Sequence, residues 1–308
     1  MSKNIVAIDL GSNAIRILKI DCQSKKKLGT FHKTVKTADG LAKTGLISYA
    51  SLDRIIQAIN EAKGQIDFSN SIIKAVTTEA IRQAKNSKEI LEAIEKNTEI
   101  TFEIISGDDE AKYALNATQN RLKLLNESAK SFMIADIGGG STELIFYYPN
   151  ITISKSFKIG IVTLTQSFDS LSAISNAIPA LMHEMKLFTK EVYYKYGRVE
   201  KFISTAGTPT TVASMKLGMR YDNYNPEKIN GTILSRSDLV KQLKRLLSMS
   251  EEERTKSVGV GREDLIVSGI LMFEEIFNIG GFNSTIVIDD GIREGIAFSE
   301  CQKLELIK

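Results

Sequence analysis

Two short turns combine an aspartate with glycines and hydroxyl side chains, a set of residues suited to a phosphate group held beside a divalent cation. DLGSN at 9–13 and DIGGGST at 136–142 each follow an apolar run. Glycine lets the backbone approach a ligand, and successive N–H groups can then converge on an anion. A carboxylate repels phosphate, so its useful role beside such a turn is to hold Mg²⁺, or another divalent cation, that bridges to the phosphate oxygens.

The turns supply two sets of candidate residues. The predicted phosphate contacts are the glycines, hydroxyls and amide of the turns: Gly11, Ser12, Asn13, Gly138, Gly139, Gly140, Ser141 and Thr142. The predicted metal ligands are Asp136 and Glu143, with Asp9 as a third. Glu143 is included because it lies across the turn from Asp136 and can point to the same side.

The two turns occupy equivalent positions in two similar segments, IVAIDLGSNAIRILKI at 5–20 and FMIADIGGGSTELIFY at 132–147. In each segment an apolar strand ends in Asp, a glycine turn follows, and a second apolar strand returns. One such turn is also typical of an ordinary hairpin, but two at so long an interval indicate domain duplication rather than a solenoid. We expect an α/β fold of two similar domains with a cleft between them, lined by one turn from each.

Apolar periodicity predicts the elements that position these turns. Strands are predicted on both sides of each turn and at 28–36, 72–76, 101–105, 151–158, 201–205 and 285–289. Helices are predicted at 51–63, 87–96, from about 109, at 170–196, at 262–278 and after 290. Asn86 and Glu89 form a predicted capping box for the helix at 87–96. The predicted domains are 1–125, joined by a C-terminal helix at about 295–308, and 126–294.

Composition excludes several classes of protein. With 308 residues, 43% of them hydrophobic and 25% charged, the chain suits a folded globular protein and not a disordered or collagen-like one. The net charge of +3 is too small to indicate nucleic-acid binding, and no apolar run reaches the ~18 residues of a membrane span. Cys22 and Cys301 are too few for a disulfide framework and lack metal-ligand spacing, so we expect reduced thiols in a cytoplasmic protein.

Four further segments complete an ordered set with the two turns: TTEAIRQAKN at 77–86, FEIISGDDEAKY at 102–113, TAGTPTT at 205–211 and DDGIREG at 289–295. In this order, and over essentially the whole chain, the sequence resembles the exopolyphosphatase / guanosine pentaphosphate phosphohydrolase (Ppx/GppA) family. The resemblance implies two duplicated ribonuclease-H-like domains of the actin-like ATPase superfamily. It also implies a short form of the family, without the helical C-terminal domain of longer relatives.

The resemblance assigns roles to residues outside the two turns. Glu110 corresponds to the family's catalytic glutamate, the general base that takes a proton from the attacking water. Arg82 is the candidate cation for the transferring phosphoryl group, since a guanidinium offers forked donors to phosphate oxygens. Gly207 and Thr208 resemble a third phosphate loop, where a helix would begin after a strand. For Arg293 in the closing segment, both a substrate contact and a structural role stay open.

The implied activity is that of a Mg²⁺-dependent phosphohydrolase acting on phosphoanhydrides. It would release the terminal phosphate of inorganic polyphosphate, or the 5′-γ-phosphate of guanosine pentaphosphate to give guanosine tetraphosphate in the stringent response. Lys36 and Ala38 stand where the family often has arginine and glycine, which leaves the substrate contacts of that loop open. No nucleic acid or membrane is expected as a partner, and the resemblance is compatible with a homodimer.

Two alternative functions remain at this point. One is a non-catalytic sensor that binds polyphosphate or a guanosine alarmone and signals by domain closure. The other is an ATPase or small-molecule kinase of the same superfamily, which the paired phosphate turns alone would also suit.

Overall fold

The computed structural model describes residues 4–306, and the chain divides into two compact units. The first unit holds the chain up to Ala117 and again from Gly291, and the second holds Thr118–Asp290. The chain therefore passes from one unit to the other twice. The corresponding boundaries predicted from the sequence are 125 and 294. The last two residues of the predicted C-terminal helix, 307–308, lie outside the described residues.

The first unit contains a five-stranded sheet in the order β3-β2-β1-β4-β5. Its strands are β1 (Asn4–Leu10), β2 (Ala14–Asp21), β3 (Lys27–Thr34), β4 (Ser71–Thr77) and β5 (Phe102–Ile104). Its helices are α1 (Leu41–Thr44), α2 (Tyr49–Gln65), α3 (Glu79–Gln83), α4 (Ser87–Thr98), the first part of α5 (Gly107–Leu124) and α14 (Ile292–Leu306). β1 is antiparallel to β2 and parallel to β4, which places the first glycine turn at the end of the central hairpin.

Apolar side chains on the central strand and the helices above it make the core of this unit. Every residue from Ile5 to Leu10 is buried, as expected for a strand that has a neighbour on each side. α2 buries Leu52, Ile55 and Ile59 at helical spacing, and the Ser48 hydroxyl accepts a hydrogen bond from the Ser51 N–H at its start. The predicted strands and helices of this region are confirmed.

The predicted capping box at the start of α4 is wrong. Asn86 makes no side-chain bond to the first turn of the helix. Its side-chain amide instead pairs with the backbone of Ile47, accepting from the N–H at 3.0 Å and donating to the carbonyl at 3.0 Å. Glu89 accepts a hydrogen bond from the Tyr49 hydroxyl at 2.8 Å. Both side chains therefore fasten the segment before α2, a long-range contact that local spacing does not reveal.

The prediction of two reduced thiols is wrong as well. Cys22 directly follows β2, Cys301 lies in α14, and the two form a disulfide with their Cα atoms 5.2 Å apart. Both are buried in a core cluster that includes Leu18 and Ile296. The bond joins residues separated by 279 positions, so the tertiary fold and not the sequence spacing brings them together.

The second unit contains a six-stranded sheet in the order β10-β11-β9-β6-β7-β8. Its strands are β6 (Phe132–Ile137), β7 (Thr142–Tyr148), β8 (Ile151–Phe157), β9 (Lys201–Thr205), β10 (Thr232–Ser235) and β11 (Ser284–Val287). Its helices are the end of α5, then α6 (Ile161–Ser167), α7 (Leu171–Leu181), α8 (His183–Tyr196), α9 (Gly207–Lys216), α10 (Pro226–Ile229), α11 (Arg236–Ser248), α12 (Glu251–Val258) and α13 (Leu265–Gly280), with a 3₁₀ turn at Tyr221–Asn223. The sequence analysis did not anticipate β10, α11 or α12.

The single helix predicted over 170–196 is in fact two helices. α7 ends at Leu181 and α8 begins at His183, with Met182 between them. Pro179 lies in the last turn of α7, where it has no N–H to donate and its ring crowds the preceding turn. The backbone of Met182, with φ of −97° and ψ of 12°, separates the two helices.

The two sheets repeat the same arrangement. In the first, β3-β2-β1 are successive antiparallel neighbours and β4 adds parallel to β1. In the second, β8-β7-β6 are successive antiparallel neighbours and β9 adds parallel to β6. This shared order confirms the α/β class and the duplication predicted from the two similar segments.

Candidate active site

The first mouth, residues 9–16, is the tight end of the β1–β2 hairpin. Asp9 pairs with Arg16 across the two strands, and the Gly11 N–H donates to the Ala14 carbonyl at 3.0 Å. Asp9 is buried at the point where β1 approaches the turn. The mouth is thus a rigid backbone loop with an aspartate and an arginine on opposite strands.

The segment after β3 closes against this mouth. The Ser12 carbonyl accepts from the Ala38 N–H at 2.8 Å, and the Asn13 carbonyl accepts from the N–H groups of Val35 and Lys36, both at 2.9 Å. Lys36 has a left-handed backbone with φ of 49°. The residues that depart from the family pattern therefore lie directly beside the predicted phosphate turn.

The second mouth, residues 136–143, repeats this construction in the β6–β7 hairpin. Asp136 pairs with Glu143 across the strands, and the Gly138 N–H donates to the Ser141 carbonyl at 3.0 Å. The carbonyls of Gly138 and Gly139 accept hydrogen bonds from the start of α6. Gly160 lies so close that a Cβ there would be 2.4 Å from the Gly139 carbonyl carbon, so only glycine fits.

The hydroxyl side chains of the second mouth are buried. Ser141 is 3% exposed and Thr142 is fully buried. The Thr142 hydroxyl donates to the Ile159 carbonyl at 2.7 Å, which ties the mouth to the segment before α6. Of the predicted phosphate contacts here, Thr142 has a side chain already engaged within the protein.

Asp136 and Glu143 form a pair of buried carboxylates that suits a cation. They are 7% and 2% exposed, and residues directly opposite in an antiparallel pair have Cβ atoms about 4.5–5.5 Å apart. Like charges at that position destabilise a sheet, whereas carboxylate oxygens are the ligands that Mg²⁺ and Ca²⁺ prefer. Glu143 Oε1 also accepts a hydrogen bond from Ser156 at 2.7 Å, which orients it. The pair fits a divalent cation.

Asp9, the third predicted metal ligand, belongs to the first unit, whereas Asp136 and Glu143 belong to the second. Within residues 4–306, no group of three or more His, Cys, Asp or Glu side chains is arranged to hold a metal ion. A cation on the carboxylate pair would therefore take other ligands from water and substrate. The three-residue metal set stays a prediction.

Two neighbouring acids in the first turn of α5, Asp109 and Glu110, have different environments. Asp109 and Ser106 cap the helix reciprocally: the Asp109 N–H donates to the Ser106 hydroxyl, which donates to the Asp109 carboxylate at 2.7 Å. Hydrogen bonds from Ser106 and Lys112 hold the pKa of Asp109 below its ordinary value. Glu110, by contrast, is 4% exposed. The buried carboxylate, and not the capping one, is available for chemistry in a water-poor site.

Arg82 and Glu110, the two predicted catalytic residues, are in contact. Arg82 Nη1 donates to Glu110 Oε1 at 2.9 Å, and Arg82 Nε donates to Glu79 Oε2 at 2.9 Å. Burial lowers the pKa of Arg82, but its hydrogen bonds and charge attraction to Glu110 and Glu79 outweigh this and raise it overall. The guanidinium is therefore a permanent cation beside the candidate base.

The predicted third loop opens α9. Thr208 is fully buried, and a Cβ on Gly269 of α13 would lie 2.4 Å from its hydroxyl oxygen. The Gly207 carbonyl accepts a hydrogen bond from Arg262 at 2.7 Å. Ala206, just before them, has φ of 69° and ψ of −166°, a conformation that L residues rarely adopt. The side chain of Thr208 thus packs inside the unit.

The closing segment is dominated by a buried glutamate. Glu294 is fully buried and accepts hydrogen bonds from Arg293 Nε at 2.7 Å and the Gly291 N–H at 2.9 Å. Burial raises the pKa of Glu294, but the charges of Arg293 and Lys27 outweigh it and lower the pKa overall. This contact gives Arg293 a structural role within the first unit.

Two residues around the site were not among the sequence candidates. Arg16 follows Asp9 by the same interval at which Glu143 follows Asp136, a signal that the two similar segments contain. Glu79 left no such signal, because its burial depends on how α3 packs. The structure pairs Arg16 with Asp9 across the hairpin and Glu79 with Arg82.

These features define a class of protein: two α/β units of the actin-like ATPase fold, each with a glycine turn after a buried aspartate. The solved Aquifex aeolicus member of the Ppx/GppA protein family is 28% identical to this chain, with a TM-score of 0.74 and 99% of both chains covered. A solved exopolyphosphatase from Cytophaga hutchinsonii, 23% identical, has a TM-score of 0.87 and covers 98% of both chains. The predicted fold class is confirmed.

The chain belongs to the Ppx/GppA phosphatase family, whose pattern matches residues 17–304. Exopolyphosphatase 2 of Mycobacterium tuberculosis is 25% identical over 320 residues, which cover 96% of this chain and 98% of that relative. The chain is therefore an enzyme of a phosphohydrolase family, and the resemblance seen in the six segments is confirmed. Within residues 4–306, no helix combines the length and apolarity that a bilayer crossing requires.

Proposed function

We propose that this enzyme is a Mg²⁺-dependent exopolyphosphatase that releases the terminal phosphate of inorganic polyphosphate, and that guanosine pentaphosphate is its second substrate. The observation that carries the proposal is the partly buried contact between Arg82 and Glu110 at 2.9 Å, which joins a cation and a base in the first unit. The name of the Mycobacterium tuberculosis relative supports polyphosphate as the substrate. A homodimer and a place in the stringent response are further parts of the proposal.

Hydrolysis of a phosphoanhydride needs a positioned water and neutralised charge more than covalent help from protein. Glu110 takes a proton from the water as its oxygen forms a bond to the terminal phosphorus, and the bridging P–O bond breaks to leave the shortened chain. Arg82, whose side chain is 26% exposed, donates to oxygens of the transferring phosphoryl group. Backbone N–H groups of the glycine turns are the proposed phosphate contacts.

Asp136 and Glu143 would hold the divalent cation. When bound, such a cation neutralises charge on the phosphate oxygens and orients the leaving group. Ser156 keeps the Glu143 carboxylate in place through its 2.7 Å hydrogen bond. Asp9 is proposed as an additional ligand, directly or through water.

Replacing Glu110 by Gln tests the proposal. Loss of a general base lowers turnover by about 10²–10⁴-fold, while substrate binding stays within about threefold. The matched control is Asp109→Asn, which keeps the helix cap and removes a neighbouring carboxylate outside the proposed chemistry. Phosphate release is measured on short polyphosphate, long polyphosphate and guanosine pentaphosphate, with and without Mg²⁺.

The outcomes separate the functions. Full activity of Glu110→Gln would remove Glu110 from the mechanism, and activity without any divalent cation would remove the metal. Tight polyphosphate binding with no phosphate release by the wild-type protein would favour a sensor. Transfer of labelled phosphate from ATP to a small acceptor would favour a kinase. The cytoplasmic location stays a prediction, and the disulfide bears on it because such bonds are rare in cytosolic proteins.

A further inference from the structure

Glu79 is a buried carboxylate that the proposed reaction does not use. It is the first residue of the short helix α3 and is 4% exposed. A carboxylate removed from water is costly unless it is paired and hydrogen-bonded. Its Oε2 accepts from Arg82, with Arg82 Nε at 2.9 Å, and its Oε1 accepts from Gln83. The structure therefore places a second buried acid, Glu79, against the arginine that contacts the candidate base.

The donors of Arg82 are divided between its two sides. Nε and Nη2 donate to Glu79. Nη1 donates to Glu110 Oε1 at 2.9 Å and to the Ile105 carbonyl. Glu110 thus receives a single donor group of the guanidinium, because Nη2, which belongs to both forked edges of the guanidinium, already donates to Glu79.

We propose that Glu79 is a positioning residue, which holds the forked edge of Arg82 and so keeps Glu110 from being neutralised by a two-donor arginine pair. The inference deepens, and rests on, the proposed role of Glu110 as general base. A bidentate arginine–carboxylate pair is among the strongest side-chain contacts in proteins. A carboxylate held in one accepts a proton less readily, which weakens it as a base.

Arg82 is the charged side chain of α3 that contacts Glu110 directly. On the helix of Glu110, Asp109 is half-buried and engaged with Ser106 and Lys112, and the exposed Asp108 precedes it. From α3, the described groups that face it are Arg82 directly and Glu79 through Arg82. Glu79→Gln would remove one of the two carboxylate charges that contact the Arg82 guanidinium.

Glu79→Gln removes the charge and keeps the shape of the side chain. Arg82 is then expected to turn its forked edge to Glu110, so kcat falls by about tenfold while KM stays within about twofold. The acid limb of the kcat/KM profile on polyphosphate moves to lower pH, because the fully paired Glu110 holds its proton less well. Glu79→Asp, which keeps the charge, restores part of kcat and the original acid limb.

A matched control is Glu103→Gln. Glu103 lies on the neighbouring strand β5, is paired with Lys74 and has a 59% exposed side chain. The control removes the same charge from the same unit without touching Arg82, and it should leave kcat and the pH profile unchanged. If Glu79→Gln has the same kcat and the same pH profile of kcat/KM as the wild-type protein, the proposal is overturned. It is also overturned if kcat falls only in proportion to thermal stability and the acid limb does not move.

A crystal structure of Glu79→Gln gives a readout that does not depend on activity. The proposal expects both terminal nitrogens of Arg82, or Nε and one of them, on the Glu110 carboxylate. An Arg82 that still gives Glu110 a single donor would overturn it. If Glu110→Gln proves fully active, the proposed function fails by that measurement, while the crystal structure still decides whether Glu79 sets the position of Arg82.

Discussion

The first and second mouths share a backbone design but differ in the residue opposite the aspartate. In both, the aspartate precedes the turn by two residues and a glycine N–H closes it with a 3.0 Å hydrogen bond. Across the strands, Asp9 faces Arg16, whereas Asp136 faces Glu143. The first mouth therefore has an arginine opposite its aspartate, whereas the second places two carboxylates opposite each other.

This difference suggests a division of labour between duplicated hairpins. An arginine beside a glycine turn is suited to phosphate oxygens, and a carboxylate pair is suited to a divalent metal. The same hairpin backbone can therefore suit either a phosphate or a metal ion. The residue opposite the aspartate makes the difference: Arg16 in the first hairpin and Glu143 in the second. The predictions below test that division.

Glu143→Gln has the largest expected effect. Loss of a metal ligand should lower phosphate release by about 10²–10³-fold, or roughly 3–4 kcal/mol of transition-state stabilisation. If the proposed metal site binds Mg²⁺, the cation raises the Tm of the wild-type protein, and Glu143→Gln should abolish that rise. The Tm without metal should not fall, because the variant removes repulsion between Asp136 and Glu143.

The control for this variant is Ser156→Ala, which loses the hydrogen bond to Glu143 and keeps both carboxylates. It should retain the Mg²⁺-dependent rise in Tm at saturating Mg²⁺ and lose about 10–100-fold in metal affinity or activity. A Glu143→Gln variant that is still stabilised by Mg²⁺ would show that the second mouth is not the metal site.

Reduction of the Cys22–Cys301 disulfide comes next. The bond ties β2 of the first hairpin to α14, and both cysteines of the chain are used in it, so the second hairpin has no such tie. Reduction, or Cys301→Ser, should lower the free energy of unfolding by about 2–4 kcal/mol. Hydrogen exchange should rise in the first unit and stay unchanged in the second.

The serine variant is its own control, since a reductant should not change its stability further. Alkylation tests whether the Cys22–Cys301 disulfide is present. If it is, neither cysteine should react in denatured, unreduced wild-type protein. Modification of both would restore the reduced thiols that the sequence predicts.

The first hairpin itself is tested by Arg16→Met. Loss of a phosphate contact should raise KM for polyphosphate by about tenfold, roughly 1.4 kcal/mol, with kcat within about twofold. The Mg²⁺-dependent rise in Tm should persist. Lys33→Met is the matched control, because Lys33 lies on the neighbouring strand and pairs with Glu61. If Arg16→Met instead abolished stabilisation by Mg²⁺, the two mouths would not divide the ligands as argued.

The hairpins were predictable because their signals are local. An apolar run ending in aspartate, a glycine turn and a returning strand specify β1–β2 and β6–β7 by short-range chemistry. Their shared pattern also predicts the duplicated sheet. Arg16 could also have been predicted, since it occupies in the first segment the position that Glu143 occupies in the second.

What the sequence did not reveal depends on contacts between distant residues. The disulfide spans 279 positions, Asn86 binds Ile47 instead of capping its own helix, and Glu79 is recognisable only once α3 is packed. α11 is a different case, because Leu239, Leu243 and Leu246 recur at helical spacing, so its local signal was present and was overlooked. Polar residues in the interior are set by tertiary fit, which single-sequence patterns do not encode.

The smallest predicted effect is a change in stability at the end of β9, the strand beside the second mouth. The equivalent strand beside the first mouth is β4. β4 and β9 each add in parallel to the first strand of a hairpin and each end in threonine before a helix. Thr78 after β4 has a negative φ of −121°, whereas Ala206 after β9 has φ of 69°. A non-glycine residue held in such a region costs about 1–3 kcal/mol, so the end of β9 carries a backbone strain that the end of β4 does not.

Ala206→Gly should therefore stabilise the protein. Relief of the strain is partly offset by about 0.5–1 kcal/mol of extra chain entropy in the unfolded state, which leaves a gain of about 1 kcal/mol and a Tm higher by roughly 2–4 °C. Ala84→Gly, at a φ of −69° after α3, receives the same entropic penalty without relief and should be destabilised by about 1 kcal/mol. If both variants lose stability equally, the backbone at Ala206 carries no strain, and the two strand ends differ only in geometry and not in energy.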